Sequence, residues 1–187
     1  MENHFQILQL IAIGDSKAFE ELYNLYKDKV YNTAISYAQS VADAEEITQD
    51  VFVKVYNVAA AFKGNSSVST WIYRITVNTS LNYIKKRDRF SFLRVAKKDT
   101  SVSDFVHPGV LLENKEDSQH LFKAMELLPD TQKTAFILSF VEELPRKEVA
   151  TIMETSLKAV ESLLQRAKSN LREVLEKQYP ERRNFKK

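Results

Sequence analysis

Residues 145–171 read PRKEVATIMETSLKAVESLLQRAKSNL, and the fold turns on how this stretch is divided. Pro145 stands where a first helical residue belongs, because its fixed φ suits a helix start and its missing N–H is not needed there. A short helix is expected through Met153, then a polar break at Glu154, Thr155 and Ser156, then a second helix at once. In that second helix Val160, Leu163, Leu164, Ala167 and Leu171 make one apolar stripe, while Lys158, Glu161, Ser162, Gln165, Arg166 and Ser169 share the opposite face. This is helix-turn-helix organisation. The outer face holds the groups that a DNA major groove can engage: Gln and Ser for base edges, Glu to accept from cytosine, Lys and Arg for phosphate or guanine. A plain helical hairpin with a solvated outer face has the same spacing, so the helix pair alone leaves DNA binding open.

The rest of the chain is also built for helix. Among 187 residues there are three glycines and four prolines, while 44% are hydrophobic, enough for a real core. From Asp15 the series Phe19, Leu22, Tyr23, Tyr26, Val30, Ala34, Ile35 keeps helical spacing, as one long helix or two, with Asp15 and Ser16 as candidate caps. A second helix, from near Ser40, puts Ala44, Ile47, Val51, Val55 and Val58 on one stripe. The polar loop FKGNSSVST ends it, and a third helix runs from about Ser69 into a basic stretch. After Phe90 the periodicity fades, and residues 91–114, with Pro108 next to Gly109, read as a flexible linker. It returns with Leu121, Met125 and Leu128, stops at Pro129, continues through Phe136 and Phe140, and stops again at Pro145. The fold class expected is all-α, with two helical domains at 10–90 and 115–179 and a basic tail, 180–187, that is expected to be disordered.

Charge divides the chain unevenly. Residues 82–98 carry seven Lys or Arg against Asp88, and 177–187 carry five against Glu181, which leaves the remainder at a net −8 although the whole chain is +2. One surface for polyanions and another for a different partner are expected. The third helix gives the first of these a face. From Trp71, steps of three and four residues lead through Ile75, Asn78, Asn82, Lys85, Lys86 and Arg89. An aromatic platform, amides and cations are what hold unstacked bases and their backbone, and the loop with Asn65 and Ser66 could wrap one base turned out of its stack. Taken alone, Trp71 fits a core anchor better, with Gly64 as a helix C-cap. On the second helix Asp43, Glu46, Gln49, Asp50 and Asn57 form an acidic outer face with Val53 among them; it disfavours DNA and suits a protein with a basic surface.

Other classes fare worse. His4, His107 and His120 fall in a terminus, a linker and a helix start, no phosphate loop or activated nucleophile is visible, and catalysis is not expected. The absence of cysteine removes disulfides, thiolate catalysis and the common structural zinc sites, so neither metal nor cofactor is expected. No apolar run is long enough for a membrane span and no signal peptide is evident, which leads to a cytoplasmic expectation. A stand-alone helix-turn-helix repressor would explain the C-terminal half but leave the row from Trp71 to Arg89 without a task. A protein-binding helical adaptor would predict no DNA affinity.

Several motifs together carry a resemblance. Asp43-Ala44-Glu45-Glu46-Ile47-Thr48-Gln49-Asp50-Val51-Phe52 resembles the polymerase-binding helix of the sigma-70 family of bacterial RNA polymerase initiation factors, specifically its small extracytoplasmic function group. Phe62-Lys63-Gly64, Ser66, Thr70-Trp71-Ile72, Arg74-Ile75 and Asn78 resemble that family's loop and helix for melting and reading the promoter's -10 element. Leu128-Pro129, Ala150, Val160, Ser162, Arg166 and Ala167 are similar to its -35-reading domain. The resemblance covers roughly residues 10–89 and 118–176 in the family's order. It implies a dissociable subunit that binds core RNA polymerase, directs it to promoter DNA and helps open the duplex, and that is held in check by an anti-sigma protein. Asp43, Glu46, Gln49, Asp50 and Val53 would then dock on polymerase. Lys63, Asn65, Ser66, Trp71, Arg74, Asn78 and Asn82 would trap bases of the opened strand, and Lys85, Lys86, Arg87 and Arg89 its phosphates.

Four positions depart from the family's pattern. Lys63 stands where arginine is common, Val68 where an aromatic is common, Glu154 at a turn position often filled by glycine, and Glu161 where a basic residue is frequent. The -35 preference is therefore not carried over. Glu161 repels phosphate and is expected to accept from a cytosine amino group instead. Glu161→Ala should relax discrimination at one -35 position, read by binding to single-base promoter variants; unchanged binding to all of them contradicts that role.

Overall fold

Asp15 accepts from the backbone N–H groups of Lys17 (2.8 Å) and Ala18 (3.0 Å) and so starts a helix by satisfying two donors that lack a partner within it. The computed structural model describes residues 2–93 and 115–180. In it Asp15 opens a single helix, α2 (Ser16–Ala38), preceded by α1 (Glu2–Ala12) and followed by α3 (Val41–Val58) and α4 (Val68–Leu93). Gln39 ends α2 in the left-handed conformation, and Ser40 caps α3. The second unit holds α5 (Lys115–Met125), α6 (Asp130–Phe136), α7 (Arg146–Ile152) and α8 (Leu157–Gln178). The described residues contain no strand, and the fold is all-α. Linker residues 94–114 and tail residues 181–187 lie outside the described residues; residues 91–93, read as the start of the linker, belong to α4.

In the first unit α2, α3 and α4 pack together around Leu22, Val30, Ile47, Val51 and Ile72, all at most 2% exposed. The α3 stripe is buried at Ala44, Ile47, Val51 and Val55, but Val58, expected to continue it, is 40% exposed. The chain tightens there into a 3-10 turn, Ala59–Ala61, and Ala59 takes the inward place. Besides Ile72, Tyr73 and Val77, α4 buries the small polar Thr76, Thr79 and Ser80, and α2 buries Thr33 and Ser36. Thr76 and Ser36 donate to carbonyls one turn back, at Ile72 and Asn32 (2.8 Å each), so burial leaves those two hydroxyls paired. Helix α1, which the sequence reading left unassigned, buries Ile7, Leu8 and Ile11, while Tyr26 and His4 share a 2.9 Å hydrogen bond.

In the second unit Phe122, Met125, Ile137, Leu138, Val149, Val160 and Ala167 form the core. Pro145 sits one place before the first helical residue, at the cap, where its φ of −56° and ψ of 137° are extended. The turn between α7 and α8 closes with Thr155 donating to Ala150 O (2.9 Å) around Glu154, whose φ is +52°. That left-handed position is why a glycine suits this turn. Ser156 then caps α8 by accepting from Ala159 (3.2 Å).

Asp15→Ala should destabilise the protein by about 1 kcal/mol through loss of the α2 cap. Urea denaturation followed by circular dichroism measures it; an unchanged midpoint contradicts the assignment.

Candidate functional site: an acidic helix beside a row of amides and cations

The loop between α3 and α4 follows from three local choices. Phe62 leaves the 3-10 turn in an extended conformation, Gly64 takes a φ of +73°, and Ser67 caps α4 by accepting from the Thr70 N–H (3.0 Å). Gly64 is the one loop residue that needs the left-handed region, which a side chain would make strained. Lys63 and Asn65 are exposed and Ser66 is half-buried at the tip. Trp71 is half-buried, its ring 5.1 Å from Phe62 and tilted by 49°. It is thus packed on one side and partly open on the other, between the two roles weighed from sequence. Val68, where the family often has an aromatic, is 5% exposed and faces the core.

Along α4, Asn78, Asn82, Lys85, Lys86 and Arg89 are exposed, and Ile75 and Arg74 are half-buried. Arg87 departs from the expectation that it joins this row. It lies sixteen residues beyond Trp71, about 160° around the helix, so it faces α3. Its guanidinium donates to Asp43 Oδ2 at 2.8 Å and approaches the Ala38 carbonyl, the last of α2, at 3.5 Å. A cation at the end of α2 and a carboxylate in the first turn of α3 both suit the helix dipoles.

Tyr83, which the sequence reading missed, completes this seam. Its hydroxyl hydrogen-bonds Asp43 Oδ1 (3.1 Å) and Glu46 Oε2 (2.8 Å). Tyr83 and Arg87 stand four residues apart on the side of α4 turned to α3, a spacing that could have flagged them once the Trp71 row was placed outside. Next to the seam runs a groove of about 360 Å³ lined by Glu46, Asp50, Lys54, Thr79, Asn82, Tyr83, Lys86 and Arg87. Lys54 bridges it by donating to Thr79 Oγ1 (3.1 Å). Residues assigned from sequence to two different partners, Glu46 and Asp50 for one and Asn82 and Lys86 for the other, therefore share one groove. On the outer side of α3, Gln49 is exposed and Val53 is 58% exposed, a large apolar side chain left in water.

On α8, Lys158, Glu161, Gln165, Arg166 and Ser169 are exposed and Ser162 is half-buried, opposite Val160, Leu164, Ala167 and Leu171. Leu163, expected in that stripe, is half-buried. Arg166 donates to Ser162 Oγ at 2.9 Å, and Arg146 of α7 approaches Glu161 at 3.8 Å. Among the described residues no group of His, Asp and Glu is placed to hold a metal ion, and no helix is long and apolar enough to cross a membrane.

Burial, then the hydrogen bonds to Glu46 and Asp43, push the Tyr83 phenol well above its ordinary value. Because the folded state holds this proton more tightly, the seam's contribution is fully present below about pH 10 and is lost as pH rises beyond it. Tyr83→Phe should cost about 1 kcal/mol at neutral pH. Between about pH 8 and about pH 11 the wild type should lose more urea stability than the variant; equal losses contradict the seam.

Residues 22–90 match the family model of sigma-70 region 2, and residues 119–171 that of sigma-70 region 4. The chain is 31% identical over 176 residues to the ECF RNA polymerase sigma factor SigW of Bacillus subtilis, a match spanning 90% of this chain and 94% of that protein. It is 29% identical over 174 residues to the ECF RNA polymerase sigma-E factor of Escherichia coli K12, spanning 87% and 88%. The solved structure of the sigma factor RpoE of Bartonella quintana, in complex with the anti-sigma factor NepR, shares the fold with a TM-score of 0.64 and 23% identity over 86% of this chain and 98% of that one. With both regions present in order and a relative of this identity matched along most of its length, the chain belongs to the sigma-70 family of transcription initiation factors, in its extracytoplasmic function group.

Proposed function

We propose that this protein binds core RNA polymerase, brings it to promoters through two DNA elements, and assists strand opening by capturing unstacked bases. The observation that carries the reading is the row on α4. Half-buried Trp71, exposed Asn78 and Asn82, and the cations Lys85, Lys86 and Arg89 share one face directly behind a loop shaped by left-handed Gly64. Stacking, amide hydrogen bonds and phosphate contacts offset an unstacking cost of a few kcal/mol. Arg74 flanks this face, and Lys63, Asn65 and Ser66 form the loop that closes over the base. Arg87 is held by Asp43 and serves the seam instead of a phosphate.

Polymerase would dock on Glu46, Gln49, Asp50 and Val53, whose acidic character and exposed valine fit a basic surface with an apolar centre. Asp43 takes part from the rim, since two of its partners are internal. In the second domain Lys158, Glu161, Ser162, Gln165, Arg166 and Ser169 would lie in the major groove of the upstream element, with the Arg166–Ser162 hydrogen bond orienting the guanidinium toward base edges. An anti-sigma protein that covers the acidic face and the α4 row would hold the factor inactive; the Bartonella quintana protein of the same fold is in complex with the anti-sigma factor NepR. No bond chemistry is assigned to the chain.

Run-off transcription by purified core polymerase from a library of promoter fragments, with and without the protein, tests this reading. New discrete start sites sharing two upstream elements are expected, and Arg89→Ala should reduce the salt slope of promoter binding by about one. No new starts despite binding to polymerase would point to an inhibitor or adaptor, and promoter binding without polymerase affinity to a repressor.

A further inference from the structure

The base-holding loop does not rest on α3 and α4 alone. Phe5, from α1, packs on Phe62 with ring centroids 5.8 Å apart, and Phe62 packs on Trp71 at 5.1 Å. The backbone at Gly64 lies against the edge of the same Phe5 ring, where a Cβ would stand 3.4 Å from Phe5 Cε2. Phe5 is itself held from below. Ile7, Leu8 and Ile11 are buried, and His4 is hydrogen-bonded to Tyr26 of α2. One helix therefore reaches the loop at its start through Phe62 and in its middle at Gly64, and through Phe62 it borders Trp71 of α4. The helix lies outside the stretch matched by the region 2 model, which begins at residue 22.

We propose that α1 supports the strand-capturing loop and that Phe5 is its positioning residue. A loop ordered only on binding loses backbone freedom at every residue it fixes, so a loop held in advance captures a base more tightly. Phe5 supplies that hold. It sets the height of the backbone at Gly64, so that Asn65 and Ser66 are presented to the unstacked base while Trp71 keeps one face open to it. This inference rests on the assignment of residues 62–67 to the opened strand.

The test uses full-length protein with core polymerase on a promoter recovered from the run-off library, and reads permanganate reactivity of unpaired thymines over time. Phe5→Ala should slow opening about tenfold, a change of about 1.4 kcal/mol, with polymerase affinity unchanged. Phe5→Leu, which refills the space, should restore most of the rate. Phe62→Leu removes the ring that Phe5 packs on and should also slow opening, but by less in the Phe5→Leu background, where that ring contact is already gone. That coupling keeps the proposal testable even where Phe5→Ala does not fold. Additive effects of Phe62→Leu and Phe5→Leu, or opening at the wild-type rate in Phe5→Ala while Asn65→Ala slows it, overturn the role of Phe5 and leave the loop's assignment standing. Normal opening in Asn65→Ala as well as in Phe5→Ala overturns both.

Discussion

The pairing of Arg87 with Asp43, at 2.8 Å and reinforced by Tyr83 on Asp43 and Glu46, is the contact on which the arrangement of this protein depends. The buried stripe of Ile47, Val51 and Val55 on α3, and Ile72 and Val77 on α4, set the inner faces of the two helices. The polar seam pairs the helices at the rim of that core. With Arg87 and Tyr83 turned to α3, the helical period places Trp71, Asn78 and Arg89 away from the seam, and Asn82 and Lys86 at the edge of the groove beside it. The seam thus lies between two surfaces of opposite charge. They share a groove, so a partner docking on Glu46 or Asp50 sits within a side chain's length of the row assigned to DNA. On the proposed function, this is a physical basis for linking attachment to polymerase with capture of the strand.

Gly64 lies in the left-handed region between an extended Phe62 and the Ser67 cap, a conformation in which a side chain would be strained, and the loop passes beside the Phe5 ring there. The second unit meets the same need differently. Glu154 holds a left-handed turn between α7 and α8 without a glycine, at the cost of some backbone strain. The turn keeps its geometry because Thr155 returns to Ala150 and Ser156 caps the next helix.

What the sequence disclosed was whatever repeats with the helical period in strongly apolar residues. The α3 stripe from Ala44 to Val55, the α8 stripe at Val160, Leu164, Ala167 and Leu171, the cap Asp15 and a helix start near Ser40 could be read directly. The buried face of α4 could not be read in full, because Thr76, Thr79 and Ser80 interleave with Ile72, Tyr73 and Val77 on it, and a hydroxyl such as that of Thr76 looks like surface until its hydrogen bond to the preceding turn is seen. Helix α1 escaped notice because ILQLIAIG is a short apolar run without a cap, ambiguous in period. Tyr83 and Arg87 belong to a different category: their side of the helix followed from the Trp71 row by arithmetic, but their partners, 37 or more residues away, did not. Val58 shows the opposite limit, a residue in phase with the stripe that a tightened helix end turns outward.

The central claim is that the loop before α4 and the row along it hold a single, unpaired strand. A photo-crosslinking amino acid at Asn65, and separately at Asn82, in polymerase complexes on an opened promoter would locate these positions on the DNA directly. The account predicts crosslinks to unpaired bases of one strand within the melted segment, adjacent for the two positions and absent when the complex is held closed. Crosslinks to duplex DNA alone, or crosslinks of equal strength in the closed and open complexes, would contradict it.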